Sequence, residues 1–173
     1  VLSEVVAALE AKEALAQAEA DETIVAANAE AIFNDGYSFV GGNPDGDLTV
    51  VEFIDYRCGY CRKAHGDVAE LVRSDGNIRY IVKEFPILGE QSLLASRFAI
   101  SALLLAGPEA YARVNAGFYE SFRGDVTTET LRGFADGLGL DGEKILAGMD
   151  ATEVTRIIEE NHRLAERLSI SGT

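Results

Sequence analysis

Residues 48–85 hold the pattern that most restricts what this chain can fold into. The segment LTVVEFID (48–55) is apolar and rich in β-branched residues, which predicts a buried strand. Residues 58–74 then place apolar side chains at helical spacing, and NIRYIVKEF (77–85) predicts a second strand. A strand, a helix and a strand within this length form a βαβ unit, whose two strands run parallel. The sequence therefore predicts an α/β fold.

The rest of the 173 residues divides around this unit. Residues 1–34 are rich in Ala, Glu and Leu and contain neither Gly nor Pro, which predicts an N-terminal helical arm. Residues 35–47 are rich in Gly and Asp and read as a linker, with room for a short edge strand at 37–40. Residues 48–173 are the expected domain, in which a block of helices is inserted at about 90–168.

Two interpretations of the arm stay open. From residue 1 to residue 35 there are eight Asp or Glu side chains and a single Lys, and the apolar residues form only a thin stripe. A helix of this kind needs a partner that buries its stripe. The arm is therefore either an oligomerisation element or a helix folded back on its own domain.

The composition excludes some classes of function. The chain has 29 acidic and 15 basic residues, a net charge of −14. Such a surface repels phosphate, which argues against a nucleic-acid partner. The longest apolar stretches, such as 99–106, are too short to span a bilayer. The chain begins at Val1 rather than Met, so we expect a processed product from which a signal peptide has been removed.

The two cysteines of the chain, Cys58 and Cys61, form one C-x-x-C motif. A bridge that closes so short a loop removes little entropy from the unfolded chain, which argues against a structural staple. A zinc site needs further ligands at regular spacing, and the only histidines are His65 and His162, so no metal site is expected. Haem attachment would require His after Cys61, where the chain has Arg62. The remaining interpretation is a redox-active dithiol that needs no cofactor.

The two sulfurs of this dithiol should differ. Cys58 stands where a strand has ended and a helix begins, so free amides and the positive end of the helix dipole favour its thiolate. Cys61 lies one turn inside the helix, where it is better placed to attack a mixed disulfide than to meet a substrate first. A C-x-x-C motif beside a βαβ pattern is typical of thioredoxin-like redox proteins.

Other side chains are candidates for supporting this dithiol. Glu52, six residues before Cys58, lies on a predicted buried strand, where a carboxylate is unfavourable unless it is paired or protonated. It is either a proton acceptor for Cys61 or a solvated charge at the strand end, and Lys83 on the neighbouring strand is its expected partner. His65, one turn beyond Cys61, either tunes the thiolate or is a packed or surface residue.

Two aromatic residues are candidates for substrate contact. Tyr60 lies between the cysteines, where we expect it to be exposed and to touch unfolded substrate. Phe85 closes the second strand, immediately before Pro86. We expect it to contribute to the same substrate surface.

Several segments resemble the DsbA-like branch of the thioredoxin superfamily. VVEFIDYRCGYCRKAH (50–65) resembles the active-site segment of that branch, and VKEFPILG (82–89) resembles its second core strand. The helical block is similar to the insertion that this branch places inside the thioredoxin core. The ending SISGT (169–173) resembles the run that precedes the family's cis-proline. The dipeptide Gly59-Tyr60 is similar to that of disulfide isomerases of the DsbC kind and of copper-tolerance proteins of the ScsC kind, which also carry an N-terminal oligomerisation arm.

The resemblance implies a role for each matching residue. Cys58 would be the exposed nucleophile, Cys61 the resolving cysteine, and Glu52 the buried acid with Lys83 as its charged neighbour. Thr173 would precede the cis-proline and lie in the substrate groove. The resemblance also implies that the cis-proline, two strands and a final helix follow Thr173, so the C-terminal part of the fold is expected to be missing from these residues.

The resemblance further implies a thiol:disulfide oxidoreductase of the periplasm. It would oxidise or isomerise disulfides in unfolded or misbridged secreted proteins, be reset by a membrane redox partner, and assemble as a homo-oligomer through its arm. The alternative is a copper-tolerance or chaperone module whose dithiol binds Cu(I), a soft ion suited to thiolates. A purely structural thioredoxin fold is disfavoured by the intact motif with Glu52 behind it.

Overall fold

A computed structural model describes residues 2–173 of the chain, and Val1, the first residue of the expected arm, lies outside them. The three strands and the helices between them lie in its first half, and only helices follow in its second. In chain order the elements are α1 (Leu2–Ala27), α2 (Ala29–Phe33), β1 (Phe39–Gly42), β2 (Leu48–Ile54), α3 (Gly59–Asp75), β3 (Ile78–Glu84), α4 (Glu90–Ala106), α5 (Pro108–Glu120), α6 (Thr128–Gly137), α7 (Gly142–Gly148) and α8 (Thr152–Arg167).

The strands form one mixed sheet in the order β1-β3-β2. β2 and β3 run parallel, with Val51 opposite Ile81 and Glu52 opposite Val82, which confirms the predicted βαβ unit. β1 pairs antiparallel with the other side of β3 and places Phe39 opposite Val82. The short edge strand expected at 37–40 is therefore present, but it begins two residues later.

Glycine ends two of these elements where other residues would be strained. Gly42 ends β1 with a φ of 66°, and a Cβ there would lie 2.3 Å from the carbonyl oxygen of Ile78. Gly76 ends α3 with a φ of 72°, and its N–H donates to the carbonyl of Val72 at 3.3 Å. Positive φ carries no Cβ penalty at glycine, so both turns bring the chain back to the sheet without strain.

The hydrophobic core lies between the sheet and the helical block. α4 runs through its centre and buries Ala95, Ala99 and Ala102 completely. Small side chains at these positions let α5 and α7 pack closely against α4. Phe98 of α4 meets the ring of Phe118 of α5 edge to face, at 6.2 Å between centroids. The helical block therefore packs against the sheet, and it lies beside the start of α3.

The arm divides into an exposed helix and a short docked one. None of the residues of α1 is buried, and Leu2 and Leu9 are 80% and 56% exposed. Only its last turns approach the domain, beside Leu168 and Ile170. The interpretation of a helix folded back on its own domain is therefore wrong for most of α1. The short helix α2 lies against the sheet with Ile32 buried.

Candidate active site

Cys58 occupies the N-cap of α3 and is only 7% exposed, so the expectation of an exposed cysteine is wrong in this structure. Its Sγ accepts the backbone N–H of Cys61 at 3.4 Å and lies 3.6 Å from the carbonyl oxygen of Thr173. Burial raises the pKa of Cys58, but hydrogen bonding with Thr173 and with the amides of Cys61 and Tyr60 outweighs it and lowers the pKa below its ordinary value. The geometry at the helix start thus favours the Cys58 thiolate, as expected of an N-terminal helix position.

Cys61 is the less ionisable of the two thiols. It is half-buried and packs against the core cluster that contains Phe118 and Tyr119. Burial raises the pKa of Cys61, and the neighbouring Cys58 adds to the effect. Both cysteines are free in this structure, so it represents the reduced dithiol.

Asp55 holds the turn that presents Cys58. The residue is fully buried, and one carboxylate oxygen accepts the N–H of Arg57 at 2.8 Å. The other oxygen accepts the N–H groups of Ile87 at 2.8 Å and Leu88 at 3.0 Å, in the loop after β3. A single buried carboxylate therefore satisfies three amides and ties the end of β2 to the end of β3.

Glu52 has a partner other than the one predicted. The side chain is half-buried and accepts a short hydrogen bond from the hydroxyl of Tyr80. Burial raises the pKa of Tyr80, and the charges of Glu52 and Cys61 add to it, which places Tyr80 within electrostatic reach of both. Lys83 was the wrong partner, because the register sets Lys83 opposite Phe53 and alternation directs it to the other face of the sheet.

On that other face, Lys83 holds the arm. Its side chain is completely buried, and Nζ pairs with Asp35 at 2.5 Å. Nζ also donates to the carbonyl of Ala31 at 2.9 Å, near the end of α2. Hydrogen bonds from Lys83 and Ser38 lower the pKa of Asp35 although burial raises it. Lys83 therefore joins β3 to α2 and the linker, and it is remote from the dithiol chemistry that was predicted for it.

His65 packs against α5. Its ring lies 4.9 Å from the ring of Tyr119, and Nε2 lies 3.6 Å from a carboxylate oxygen of Glu120. The hydroxyl of Tyr119 reaches the carbonyl of Asp55 at 3.4 Å. His65 thus braces the first turns of α3 against the helical block, which matches the packed alternative raised by its position in the sequence.

The residues expected to meet substrate divide into exposed and buried ones. Tyr60 is 81% exposed beside the cysteines, and Thr173 lies within reach of Cys58. Phe85 is only 5% exposed, because its ring packs edge to face on Phe53 and lies 4.9 Å from the ring of His162. The expectation that Phe85 contacts substrate is therefore wrong in this structure.

Sequence reasoning missed a second buried carboxyl, Glu84. It accepts hydrogen bonds from the hydroxyls of Tyr56 at 2.7 Å, Tyr111 at 2.6 Å and Ser96 at 2.6 Å. Burial raises the pKa of Glu84 to about 7, although these hydroxyls oppose the shift. The sequence did indicate burial at this position, since Glu84 lies near the end of the second predicted strand, shortly after the apolar run YIV (80–82). Its ring of hydroxyl partners comes from distant helices and could not be read locally.

The arrangement offers a nucleophile, a second thiol and a nearby carboxylate, which suffice for thiol–disulfide exchange. Within residues 2–173 no group of three or more His, Cys, Asp or Glu side chains is placed to hold a metal ion. The dithiol itself is a possible two-coordinate site for a soft monovalent ion.

Solved structures of similar fold include a thioredoxin-like oxidoreductase and a thiol-disulfide exchange protein. A thioredoxin-like oxidoreductase from Silicibacter pomeroyi DSS-3 is 41% identical, with a TM-score of 0.75 over 83% of this chain and 81% of its own. The thiol-disulfide exchange protein alpha-DsbA2 from Wolbachia pipientis is 26% identical, with a TM-score of 0.83 over 91% of this chain and 84% of its own. ScsC from Proteus mirabilis, 22% identical, shares the fold with a TM-score of 0.78 over 99% of this chain and 78% of its own.

The curated relatives are larger proteins. The Na(+)/H(+) antiporter NhaA of Herminiimonas arsenicoxydans is 28% identical over 130 residues, which are 70% of this chain but 19% of the antiporter. The chain thus spans about a fifth of the curated relatives it matches. No helix within residues 2–173 has both the length and the apolar character that crossing a membrane requires.

A family model described as thioredoxin matches residues 34–173, which include the whole sheet, the dithiol and the helical block. The family match agrees with the βαβ core, with Cys58 at the start of α3 and with the folds of the solved structures. The chain belongs to the thioredoxin family and to its DsbA-like branch.

Proposed function

We propose that the chain is a periplasmic thiol:disulfide oxidoreductase that oxidises or isomerises disulfides of secreted proteins. The observation that carries this proposal is the opposite shift of two neighbouring thiols, in which the pKa of Cys58 is lowered and that of Cys61 is raised. In such a pair, one thiol attacks the substrate as a thiolate, and the other stays protonated until it resolves the mixed disulfide. The proposed periplasmic location suits this activity, because protein disulfides form and persist in the periplasm.

The first step is attack by the Cys58 thiolate on a substrate disulfide. A bond forms between Cys58 Sγ and one substrate sulfur, and the second substrate sulfur leaves as a thiolate that takes a proton from water. The N-terminal position on α3 favours the thiolate of Cys58, whose residue is only 7% exposed, so the substrate sulfur must enter the cleft at the helix start to reach it. Tyr60, exposed beside it, is positioned to contact the substrate chain.

The second step releases the substrate. Cys61 loses its proton and attacks Cys58 Sγ, which forms the Cys58–Cys61 disulfide and breaks the bond to the first substrate sulfur. That sulfur leaves as a thiolate and takes up a proton. The substrate gains two electrons and the protein loses two. Oxidation of a substrate follows the same steps in reverse, and isomerisation ends when another substrate thiol, rather than Cys61, resolves the mixed disulfide.

A proton acceptor is needed for Cys61, because burial disfavours its thiolate. Glu52 is the candidate, since its carboxylate is hydrogen-bonded to Tyr80, which lies within electrostatic reach of Cys61. Tyr80 would orient the carboxylate. Glu52 thus acts on the release step rather than on the first attack.

The test of this function is reactivation of scrambled ribonuclease by the reduced protein. We expect native ribonuclease to appear with the wild type, no catalysis with Cys58→Ser, and a trapped mixed disulfide with Cys61→Ser. Equal reactivation by the wild type and Cys58→Ser would refute the proposal. Measuring the Cys58–Cys61 reduction potential then separates oxidation from isomerisation, because a stabilised Cys58 thiolate makes the disulfide a stronger oxidant.

The role of Glu52 has its own test. Glu52→Gln should slow release of substrate from the mixed disulfide by about 10²-fold, the lower range for general acid–base catalysis, and leave the first attack unchanged. Rapid quenching and mass analysis of the mixed disulfide measures both steps. Glu70→Gln, an exposed carboxylate of α3, is the matched control. Release from Glu52→Gln at the wild-type rate would remove Glu52 from the mechanism.

We also propose that α1 assembles copies of the chain. Its exposed Leu2, Val5, Val6 and Leu9 recur at helical spacing and form one stripe, which this fold leaves uncovered. A membrane redox partner that resets the dithiol completes the proposed cycle.

A further inference from the structure

Three arginines gather beside the dithiol of this acidic chain. Arg57 precedes Cys58 directly, Arg62 lies in the first turns of α3, and Arg123 follows the end of α5. Arg57 and Arg123 are exposed, and Arg62 is half-buried. We call these three side chains the cationic rim. It stands out because the molecule as a whole has 29 acidic and 15 basic residues.

Carbonyl groups in the last turn of α5 and in the loop that follows it hold the rim in place. Arg57 donates to the carbonyl of Gly124 at 2.8 Å, and Arg62 donates to the carbonyl of Tyr119. Arg123 donates to the carbonyls of Phe122 at 2.7 Å and Glu120 at 3.0 Å. The last carbonyls of a helix have no partner within it and carry partial negative charge, so they attract cations.

The carbonyls occupy only part of what the rim can bind. A guanidinium has five N–H donors, and Arg57 and Arg62 each use one of them here. These carbonyls therefore explain where the guanidinium groups are held, and they leave most of the donors of Arg57 and Arg62 free for a ligand.

The positive charge of the rim is not neutralised within the described residues. None of its three arginines forms an ion pair there, whereas Arg73, Arg132 and Arg163 each have a carboxylate partner. Burial lowers the pKa of Arg62, and the charges of Arg123 and Arg57 add to it, so the rim members repel one another.

The acidic side chains nearest in sequence to the rim have other partners. Glu120 lies beside His65, and Asp125 accepts the side-chain amide of Gln91 at 3.2 Å. Asp55 is buried and accepts three backbone amides. The rim is thus an unpaired positive patch at the point where Cys58 meets substrate.

We propose that the cationic rim selects substrate disulfides that are flanked by acidic residues. This inference rests on the proposed thiol–disulfide exchange and adds a preference among its substrates. Asp or Glu next to a substrate cysteine would pair with Arg57 or Arg123 while the cysteine sulfur meets Cys58. Guanidinium and carboxylate form strong bidentate hydrogen bonds, which suits this recognition.

The range of the preference follows from screening. The molecule carries a net charge of −14, which repels acidic proteins at long range, so attraction to the rim acts only nearby. Salt limits it to about 8 to 10 Å, or about three residues of extended chain. An acidic residue farther from the disulfide should have no effect.

The experiment compares synthetic peptides that contain one disulfide and differ only beside it. The flanking residues are Glu, Gln or Lys, and a fourth peptide carries Glu about six residues away, or about 20 Å along an extended chain. The reduced protein reacts with each at about 0.1 M ionic strength, the low-salt condition, and at about 1 M, where the screening length falls to about 3 Å. Neutral hydroxyethyl disulfide reports the intrinsic reactivity of Cys58.

We expect the Glu peptide to react about tenfold faster than the Lys peptide at low salt, within the range of electrostatic steering, and this ratio to approach one at high salt. The variant Arg57→Gln/Arg123→Gln should lose the preference. Arg113→Gln, whose guanidinium also bonds a backbone carbonyl (that of Leu138, at 3.0 Å), should keep it.

Each outcome decides between the two proposals. Equal rates with all four peptides would overturn the rim as a selector and leave the exchange reaction intact. Failure of the wild type with every disulfide, the neutral one included, would overturn the proposed function itself. If the double variant does not fold, the salt dependence of the wild type still decides.

Discussion

Cys58 and Cys61 have the same side chain, but their pKa values are shifted in opposite directions because their surroundings differ. Burial raises the pKa of both thiols, but amide hydrogen bonds at the start of α3 outweigh it at Cys58 and not at Cys61. Hydrogen bonds to a thiolate stabilise it, and burial destabilises it. The proposed division of labour between attack and resolution would therefore follow from two positions about one turn apart at the start of one helix.

Alkylation of the reduced protein tests this division. We expect iodoacetamide to react first with Cys58, with a rate that rises with pH around a midpoint below the ordinary value for a thiol, because the pKa of Cys58 is lowered. Cys61 should react more slowly and at higher pH, because its pKa is raised. Mass mapping of the alkylated peptides identifies the site, and Cys58→Ser is the control. Preferential reaction at Cys61 would contradict the assignment.

Glu84 makes stability depend on pH. Burial raises its pKa to about 7 from 4.5, so the folded protein binds the proton more tightly than the unfolded chain. The stabilisation from that proton is complete below about pH 4.5 and is lost as the pH rises to about 7. The shift corresponds to a loss on the order of 3 kcal/mol in the free energy of unfolding.

Urea unfolding of the oxidised protein between pH 5 and 8 measures this loss, because the disulfide removes both thiols from the titration. We expect the free energy of unfolding of the wild type to fall with rising pH and that of Glu84→Gln to stay nearly level. Glu143→Gln, 72% exposed, should retain the wild-type slope. An identical slope in Glu84→Gln and wild type would sink this assignment.

Among the elements, α2 depends most on a single side chain. Lys83 projects from the face of the sheet that α2 covers, and it donates to the carbonyl of Ala31 near the end of α2 and to Asp35 in the linker. Removing one partner of a buried ion pair leaves the other charge uncompensated, which is strongly destabilising. The position of α2 on the sheet therefore rests on this pair together with the burial of Ile32.

Lys83→Ala should lower the free energy of unfolding by about 3 to 5 kcal/mol. The double variant Lys83→Met/Asp35→Asn should lose less than the sum of its single changes, because neither charge is left alone. Arg132→Ala, which breaks the exposed pair with Glu143, should change stability by less than about 1 kcal/mol. Additive losses in the double variant would show that the pair is not coupled.

At the scale of the whole molecule, the surface proposed to contact substrate differs in character from the surface proposed for assembly. The dithiol opens on a positive rim, whereas α1 presents an uncovered apolar stripe on an acidic helix. An exposed apolar stripe on an otherwise charged helix is typical of a surface that binds another protein. Assembly through α1 would leave the dithiol of each copy free.

Light scattering of the full chain tests assembly. We expect an oligomer, and we expect Val5→Glu/Leu9→Glu to yield the monomer mass, because two charges then interrupt the stripe. Leu15→Glu is the matched control, since Leu15 is 67% exposed but lies outside the stripe of Leu2, Val5, Val6 and Leu9. A wild-type mass equal to one chain would contradict assembly through the arm.

Reading the sequence found the parts of the site that depend on local patterns. The strands, the start of α3 and the unequal thiols follow from side-chain periodicity and from the chemistry of a helix N-terminus, which act over a few residues. The exposure of Tyr60 followed from its place between the cysteines.

What only the tertiary structure decided lies across the sheet and between helices. The register between β2 and β3 made Tyr80 the partner of Glu52 and Asp35 the partner of Lys83. Which residues of the two strands share a face is fixed only when the strands pair. Packing of the helical block against the sheet surrounded Glu84 with hydroxyl groups and brought the end of α5 to the dithiol. The sequence by itself determined that this chain carries an asymmetric dithiol on a βαβ unit. The charges, acids and arginines around that dithiol were decided by contacts between residues far apart in the chain, which no local pattern encodes.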